Sequence, residues 1–405
     1  MPQLSTGAEF TALTDRFRPI FTAIAAGAVE RERQRILPVE AISQLKQAGF
    51  AALRVPKDKG GAGLSLPQLS ELLIELAAAD SNLTQALRAH ISFVENVLNQ
   101  PDSPQRDRWF ARFVDGELVG SGWTEPGDVK LGDVNTTVTP QGDGWLLNGE
   151  KFYSTGALFA DWIDVYARRA DTGAHVIALV RNQQPGVTRL DDWDGFGQRL
   201  TGSGTTRFEN AQVDSGEIYP VEHSFRYQTA FFQQMLLVTL AGIGRAVAQD
   251  AAQAVRGRSR VYSHGNSLKS ATDPQVLQVV GEIASSAWAV EATVLRAAQT
   301  LQRAYEAHLS GDEELINALT IESEAAVAQA QVIATRLIPE AATELFNALG
   351  ASDTRVSKAL DRHWRNARTV SSHNPVIYKA RNVGGWLVNG TPLTTLWQVG
   401  TGKES

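Results

Sequence analysis

Val134-Asn135-Thr136-Thr137-Val138-Thr139, then Gln141-Gly142-Asp143-Gly144, then Trp145-Leu146-Leu147, is the stretch on which the fold turns. Its first part is rich in β-branched side chains, which suit a pleated surface, and the glycine-rich tetrapeptide turns the chain into a second strand. Further strands are expected at 162–168, 175–180 and 205–208, and Asn148-Gly149 signals another turn. Short strands joined by turns, without intervening helices, predict a small antiparallel barrel or sandwich over residues 119–222.

On either side the pattern is helical. Within residues 1–118, the segment 38–48 carries apolar positions at helical spacing and stops at Gly49. A glycine-rich loop (Gly60, Gly61, Gly63) leads to a helix at 67–79, and Asp80-Ser81-Asn82 offers an N-cap for another through Leu98. His90 falls near the middle of that helix. From 223 to 405 the chain is helical again, with segments 235–255, 274–308 and 312–336 whose Ala-rich apolar faces suggest a bundle. The reading is therefore α+β and multidomain: helical domain, β domain, helical bundle.

The chain of 405 residues has 43% hydrophobic and 20% charged residues, enough to bury a large core. A net charge of -6 argues against nucleic acid as the main partner. No basic segment followed by an apolar core opens the sequence, and no unbroken apolar run reaches bilayer length, so neither a secretory signal nor a membrane span is expected. With no cysteine there are no disulfides, thiolate nucleophiles or Cys-based metal sites, which fits a cytoplasmic location. Gly195-Phe196-Gly197-Gln198-Arg199-Leu200 and Gly242-Ile243-Gly244-Arg245-Ala246-Val247 both lack the third glycine of a dinucleotide fingerprint. Neither a Walker loop nor a His-Glu-x-x-His helix is present, and Ser43-Gln44-Leu45-Lys46 is a chance match on an amphipathic helix.

Near the C-terminus, Asp361-Arg362-His363-Trp364-Arg365-Asn366-Ala367-Arg368-Thr369 is followed by Ser372-His373-Asn374-Pro375. Asn374 and Pro375 read as N-cap and first residue of a helix. Cations and aromatics gathered before a helix N-terminus suit an anionic cofactor; the bland alternative is a solvated basic helix end.

Together with Lys59-Gly60-Gly61, Asn148-Gly149-Glu150-Lys151, Gly197-Gln198-Arg199 and Val213, this block resembles the acyl-CoA dehydrogenase superfamily in order and spacing. More narrowly it resembles the flavin-dependent monooxygenases of organosulfur utilisation, the dibenzothiophene monooxygenase-like branch. The resemblance implies an N-terminal helical domain, a middle β domain holding flavin, a C-terminal four-helix bundle and a homotetramer. It implies that Trp123 and Thr124 meet the pyrimidine side of the isoalloxazine through backbone and hydroxyl. Tyr153, Ser154 and Thr155 would lie against the ring, with Thr155 at its N5 edge, and Trp193 on a loop near the pocket. Arg260 would reach the flavin phosphate from a neighbouring subunit. Ser352 stands where monooxygenase relatives can carry an arginine, and Arg355 is a possible substitute. FMN is preferred over FAD because Leu349-Gly350 replaces the Gly-Gly pair that supports FAD's adenylate.

The dehydrogenases remove an α-proton with a carboxylate at one of two positions. This chain has Ser372-His373-Asn374 at one, and no acidic residue from Phe225 to Gln249 at the other. The branch instead implies a two-component monooxygenase. A separate NAD(P)H:flavin reductase supplies FMNH2, O2 adds at the flavin C4a, and one oxygen passes to a small organosulfur substrate. His90, Thr155 and His373 match the polar residues of the oxygen site, whereas His175, His223, His264 and His308 match nothing. An acyl-CoA dehydrogenase-like oxidoreductase, an amine N-hydroxylase and an inactive flavin-binding scaffold are the alternatives. Phe231, Phe232, Met235 and Trp288 are expected to line an apolar substrate pocket.

Overall fold

The computed structural model describes residues 4–129, 132–221 and 225–393. His223 therefore lies outside the described residues. The chain begins with five helices: α1 (Gly7–Gln34), α2 (Val39–Gln47), α3 (Leu66–Ala79), α4 (Ser81–Leu98) and α5 (Pro104–Val114). Local chemistry sets their starts. Thr6 and Glu9 form a reciprocal capping box on α1, Ser65 and Gln68 do so on α3, and the Asp80 carboxylate accepts from Asn82 N on α4. Gly49, at φ 85°, ends the α2 segment in the left-handed region that glycine adopts without strain. Leu83, Leu87, Ile91, Val94 and Leu98 of α4 are buried in the core shared by the helical parts.

Eight strands follow: β1 (Val119–Gly122), β2 (Thr137–Gln141), β3 (Gly144–Lys151), β4 (Trp162–Arg169), β5 (His175–Arg181), β6 (Val187–Arg189), β7 (Thr206–Asp214) and β8 (Ile218–Pro220). They form one sheet in the order β6-β7-β3-β2-β4-β5-β8, with β1 also on β4. The sheet is mixed rather than purely antiparallel, because β4 pairs in parallel with both β1 and β2. Its core is separate and small: Val138, Leu147, Ile163, Val165, Val176, Ala178, Val180 and Phe208 among others.

Asn148-Gly149 does not turn the chain. β3 continues through it, and the register against β7 slips between Leu147 and Gly149, a β-bulge. A Cβ on Gly149 would sit 2.5 Å from Thr136 Oγ1, so glycine here permits the close approach of the segment leading into β2.

The C-terminal part contains α6 (Gln228–Gly257), α7 (Pro274–Ser310), α8 (Glu313–Leu349), α9 (Asp361–Ser371) and α10 (Val376–Asn389). α6, α7 and α8 pack against one another, and α10 lies on α8. Two helices run further than their sequence patterns suggest. α6 starts seven residues earlier than the 235–255 pattern (235 − 228) because buried Glu324 of α8 accepts from Ala230 N, capping it from outside. α8 continues past Arg336 through Pro339, since packing on α7 outweighs one lost backbone bond. By length and composition α6 could cross a membrane, but 89% of its apolar window is buried inside the protein.

Candidate active site

Lys151, at the end of β3, has no exposed side-chain surface and lies 2.8 Å from Glu125. The Glu125 carboxylate also accepts from Asn135 N (2.7 Å), Thr136 N (2.8 Å) and Thr136 Oγ1 (2.5 Å). Burial alone would raise Glu125, but the Lys151 and Thr136 hydrogen bonds outweigh it and lower its pKa. Burial brings Lys151 down to about 8. This buried pair fixes the 123–126 segment beside β3, where Phe152 N donates to Thr124 O at 2.9 Å. Trp123 is anchored on both counts: its indole N–H donates to Asp164 (3.0 Å) and its ring stacks on Tyr166 at 5.6 Å. The exposed Thr124 hydroxyl has no partner among the described residues.

Beyond Lys151 the backbone departs from strand geometry, with Tyr153 at φ 56°. Tyr153 is 52% exposed, and its ring meets Trp193 edge-on at 5.8 Å. Buried Ser154 binds Gly204 O through its N–H (3.1 Å), while its Oγ has no partner. Buried Thr155 opens a hydroxyl chain: Oγ1 to Ser203 Oγ (2.8 Å), Ser203 to Thr201 Oγ1 (2.7 Å), and Thr201 to Gln198 O (2.9 Å). Because Gln198 O can only accept, the hydroxyl protons run toward it, assigned from the network. The Thr155 proton then goes to Ser203 Oγ rather than to the longer Tyr153 O contact (3.4 Å), which leaves Thr155 Oγ1 with acceptor capacity.

The basic block on α9 has another task than the one its composition suggested. Arg362 and His363 both bind Asp250 of α6, at 2.8 and 2.7 Å. Arg365 binds Glu32 of α1 (2.7 Å), Asp361 (2.8 Å) and Phe196 O (2.9 Å), and Arg368 binds Ser372 Oγ (3.0 Å). Asn366 accepts from Gln198 N at 2.6 Å. A Cβ on Gly197 would fall 2.1 Å from Arg365 O, so the Trp193 loop lies directly on α9. These cations clamp the three parts of the chain together, and carboxylates already neutralise most of them. Asn374 does not cap α10 either: Pro375 takes the cap position, and the Asn374 amide donates to Gln233 of α6 at 2.8 Å.

At the end of α9, His373 Nε2 lies 3.2 Å from Arg88 Nη2 on α4. A guanidinium only donates, so Nε2 accepts and the imidazole proton sits on Nδ1. His373 is exposed to solvent along part of its surface, and the crowding around its ring together with the Arg88 charge holds its pKa down to about 3. His373 is therefore neutral at pH 7.

His90 is not brought to His373. Two residues beyond Arg88, it points roughly 200° away around the helix. Its Nε2 bonds Ala51 O at 2.9 Å, its ring packs edge-on against Phe113 at 5.4 Å, and burial lowers it to about 4. It is a core histidine of the N-terminal part.

Arg260 stands exposed on the loop after α6, and its guanidinium has no partner within the described chain. Arg258, its neighbour, is bound to Arg260 O and to Ala348 O (3.1 and 3.3 Å). Ser352 Oγ bonds Asp353 at 3.0 Å, and Arg355 is exposed. Of the side chains expected to line an apolar pocket, Phe231 and Met235 are buried in the helical core, Phe232 is half-buried against it and Trp288 is 74% exposed. A cleft of about 350 Å³ lined by Glu32, Arg33, Asp194, Phe196, Arg199 and Arg365 lies outside the Trp193 loop and does not include Tyr153, Thr155 or His373.

Comparison with known families places three consecutive matches on this frame. They are the acyl-CoA dehydrogenase N-terminal domain over residues 8–117, the middle domain over 120–211 and the C-terminal domain over 236–377. The chain belongs to the acyl-CoA dehydrogenase family. Among its relatives in that family is dibenzothiophene monooxygenase of Rhodococcus qingshengii, 28% identical over 386 residues, with 90% of each chain covered. Another is the probable FMNH2-dependent monooxygenase SfnC of Pseudomonas putida, 28% identical over 383 residues, covering 92% of this chain and 93% of that one. FMN-bound TdsC from Paenibacillus sp. A11-2 superposes with a TM-score of 0.85 at 28% identity, covering 95% of this chain and 99% of the other.

Within this acyl-CoA dehydrogenase fold, the residues that sequence reasoning missed are Arg88, Ser203, Gln233 and Gln331. Gln331 of α8 donates to Gln233 Oε1 (3.1 Å), the same oxygen that holds Asn374. Arg88 carried a readable signal: a cation inside a helix otherwise flanked by Leu83, Leu87, Ile91 and Val94. The two glutamines carried none, because their partners are remote in sequence, and Ser203 is marked only by Thr155, which lies 48 residues away.

Proposed function

We propose that the chain is an FMN-dependent two-component monooxygenase that transfers one oxygen atom of O2 to a small organosulfur compound. The observation that carries this reading is the segment Ser372-His373-Asn374, where the resemblance implies the dehydrogenases' carboxylate: it offers none, and Asn374 is an amide bound to Gln233. An amide cannot serve as that base. Beside it His373 is neutral and donor-bearing, which suits oxygen chemistry at neutral pH. The kinship to dibenzothiophene monooxygenase and to SfnC supports the sulfur substrate and the reduced cofactor.

The residues present fit an isoalloxazine. Tyr153 and Trp193 offer an open aromatic wall, Ser154 Oγ is a buried group with no partner, and Thr155 Oγ1 is an acceptor suited to the N–H at the edge of a reduced ring. Trp123 and Thr124 contribute backbone groups and the Thr124 hydroxyl, held in place by the Glu125–Lys151 pair. Arg260 is available to a phosphate on a neighbouring subunit of a homotetramer. Reduced FMN supplies the electrons that split O2, and a separate NAD(P)H:flavin reductase in the cytoplasm supplies reduced FMN. The chain's own residues orient the ring, exclude water and, at His373 Nδ1, hold a proton for the departing oxygen. The balance is substrate + FMNH2 + O2 giving oxygenated substrate + FMN + water.

The test mixes the protein with chemically reduced FMN, O2 and a panel of sulfides, sulfoxides, sulfones and sulfinates, without NAD(P)H. Oxygenated product equivalent to the FMNH2 consumed supports the proposal. Bleaching of bound oxidised FMN by an acyl-CoA, with no oxygenated product, contradicts it.

A further inference from the structure

We propose that Arg88 is an oxyanion anchor that selects a small anionic organosulfur substrate, an alkanesulfinate, and holds it beside His373. This rests on the monooxygenase reading and narrows its substrate class.

Along α4, five buried side-chain atoms have no hydrogen-bond partner; His90 Nδ1 lies on the side toward the N-terminal core, and the other four are Gln85 Oε1, Arg88 Nε, Ser92 Oγ and Asn96 Oδ1. Their spacing of three, four and four residues puts them on one side of the helix. Folded proteins leave few such groups unsatisfied, and a row of them on one wall indicates that a ligand or its water completes them. Arg88 is the charged member of the row. Several inward-reaching arginines have a carboxylate, as Arg54 has Glu95 (2.9 Å), Arg245 has Glu291 (2.6 Å), Arg362 has Asp250 (2.8 Å) and Arg365 has Glu32 (2.7 Å), and Arg258 is held by backbone carbonyls instead. Arg88 has none among the described residues; its one partner is the neutral His373 ring. Burial alone moves it, down to about 10, with no carboxylate opposing the shift. A guanidinium cannot shed its proton to escape that cost, so the missing partner is an anion.

The fork of a guanidinium matches a planar pair of oxygens through two parallel hydrogen bonds. A sulfinate presents such a pair, and its sulfur still carries the lone pair that oxygen transfer requires. The sulfur gives two electrons to form the new S–O bond as the O–O bond breaks, and FMNH2 gives the other two electrons and both protons of the water formed. The balance is RSO2− + FMNH2 + O2 giving RSO3− + FMN + H2O. A neutral sulfide or thiophene leaves the Arg88 charge unpaired.

The experiment titrates the protein loaded with oxidised FMN, in chloride-free buffer, with sodium methanesulfonate and with its neutral isostere dimethyl sulfone. Methanesulfonate is expected to bind at least tenfold tighter than the sulfone. Arg88→Met is expected to lose at least tenfold of that affinity, with FMN affinity and Tm not reduced, and Arg88→Lys to retain part of it. With FMNH2, methanesulfinate turnover by Arg88→Met is expected to show a KM raised at least tenfold. Equal binding of sulfonate and sulfone, or unchanged sulfonate binding in both variants, overturns the proposal. Because the titration involves no oxygen chemistry, its failure is distinct from failure of the monooxygenase reading, which is the lack of oxygenated product from every sulfur class.

Discussion

His373 and His90 are both imidazoles kept neutral, yet only His373 reaches solvent. His373→Ala removes the proton held at Nδ1 while leaving the flavin bed intact. The expected result is FMN binding as in the parent with O2 consumption diverted to H2O2, read as the ratio of H2O2 to oxygenated product. His90→Gln is expected to leave that ratio unchanged, because the His90 ring serves Ala51 O and Phe113. His90 instead shapes acid stability. Its folded-state pKa of about 4 lies below the ordinary 6.5, so between those values the folded state binds fewer protons than the unfolded one. Stability from this group is full above pH 6.5 and falls as pH drops toward 4, by about 3 kcal/mol in all. Urea unfolding at pH 7 and pH 4.5 checks this: His90→Gln should show a smaller loss between the two than the parent. An equal loss removes His90 from the acid limb.

Among the elements, α9 holds the 191–198 loop, whose Trp193 ring meets Tyr153 of the proposed bed. Arg365 joins α9 to α1 through Glu32, whose side chain is 2% exposed. Arg365→Ala strands that carboxylate and is expected to cost about 3 kcal/mol in urea unfolding. A cost near zero contradicts the clamp. The helix start at Asp80 was legible because capping chemistry is local, and strands showed in their β-branched runs, while the Ser65 capping box starts α3 one residue before the expected Pro67. The Asn148-Gly149 bulge was not legible, since a turn dipeptide and a bulge glycine look alike until Thr136 is known to approach. The start of α6 was hidden because its cap, Glu324, lies on another helix. The roles proposed for Tyr153, Thr155 and His373 come from the resemblance to the family's motif, whereas the Arg88–His373 pair joins residues 285 apart and only folding reveals it.

For the whole molecule, exposed apolar side chains on the bundle, including Trp288 (74%), Tyr262 (75%) and Leu268 (91%), are more than a lone chain ordinarily shows. The homotetramer proposed above covers such surface and lends Arg260 to a neighbouring cofactor phosphate. Light scattering is expected to give a tetramer for the parent and a smaller species for Trp288→Asp, with FMN affinity falling in step. A monomeric parent with full FMN affinity contradicts this assembly. The central claim, oxygen transfer rather than α-proton removal, is tested most directly by one turnover of chemically reduced FMN under 18O2 with methanesulfinate, followed by mass spectrometry. The account predicts methanesulfonate carrying one 18O atom; methanesulfonate without label, or none formed while FMN reoxidises, contradicts it.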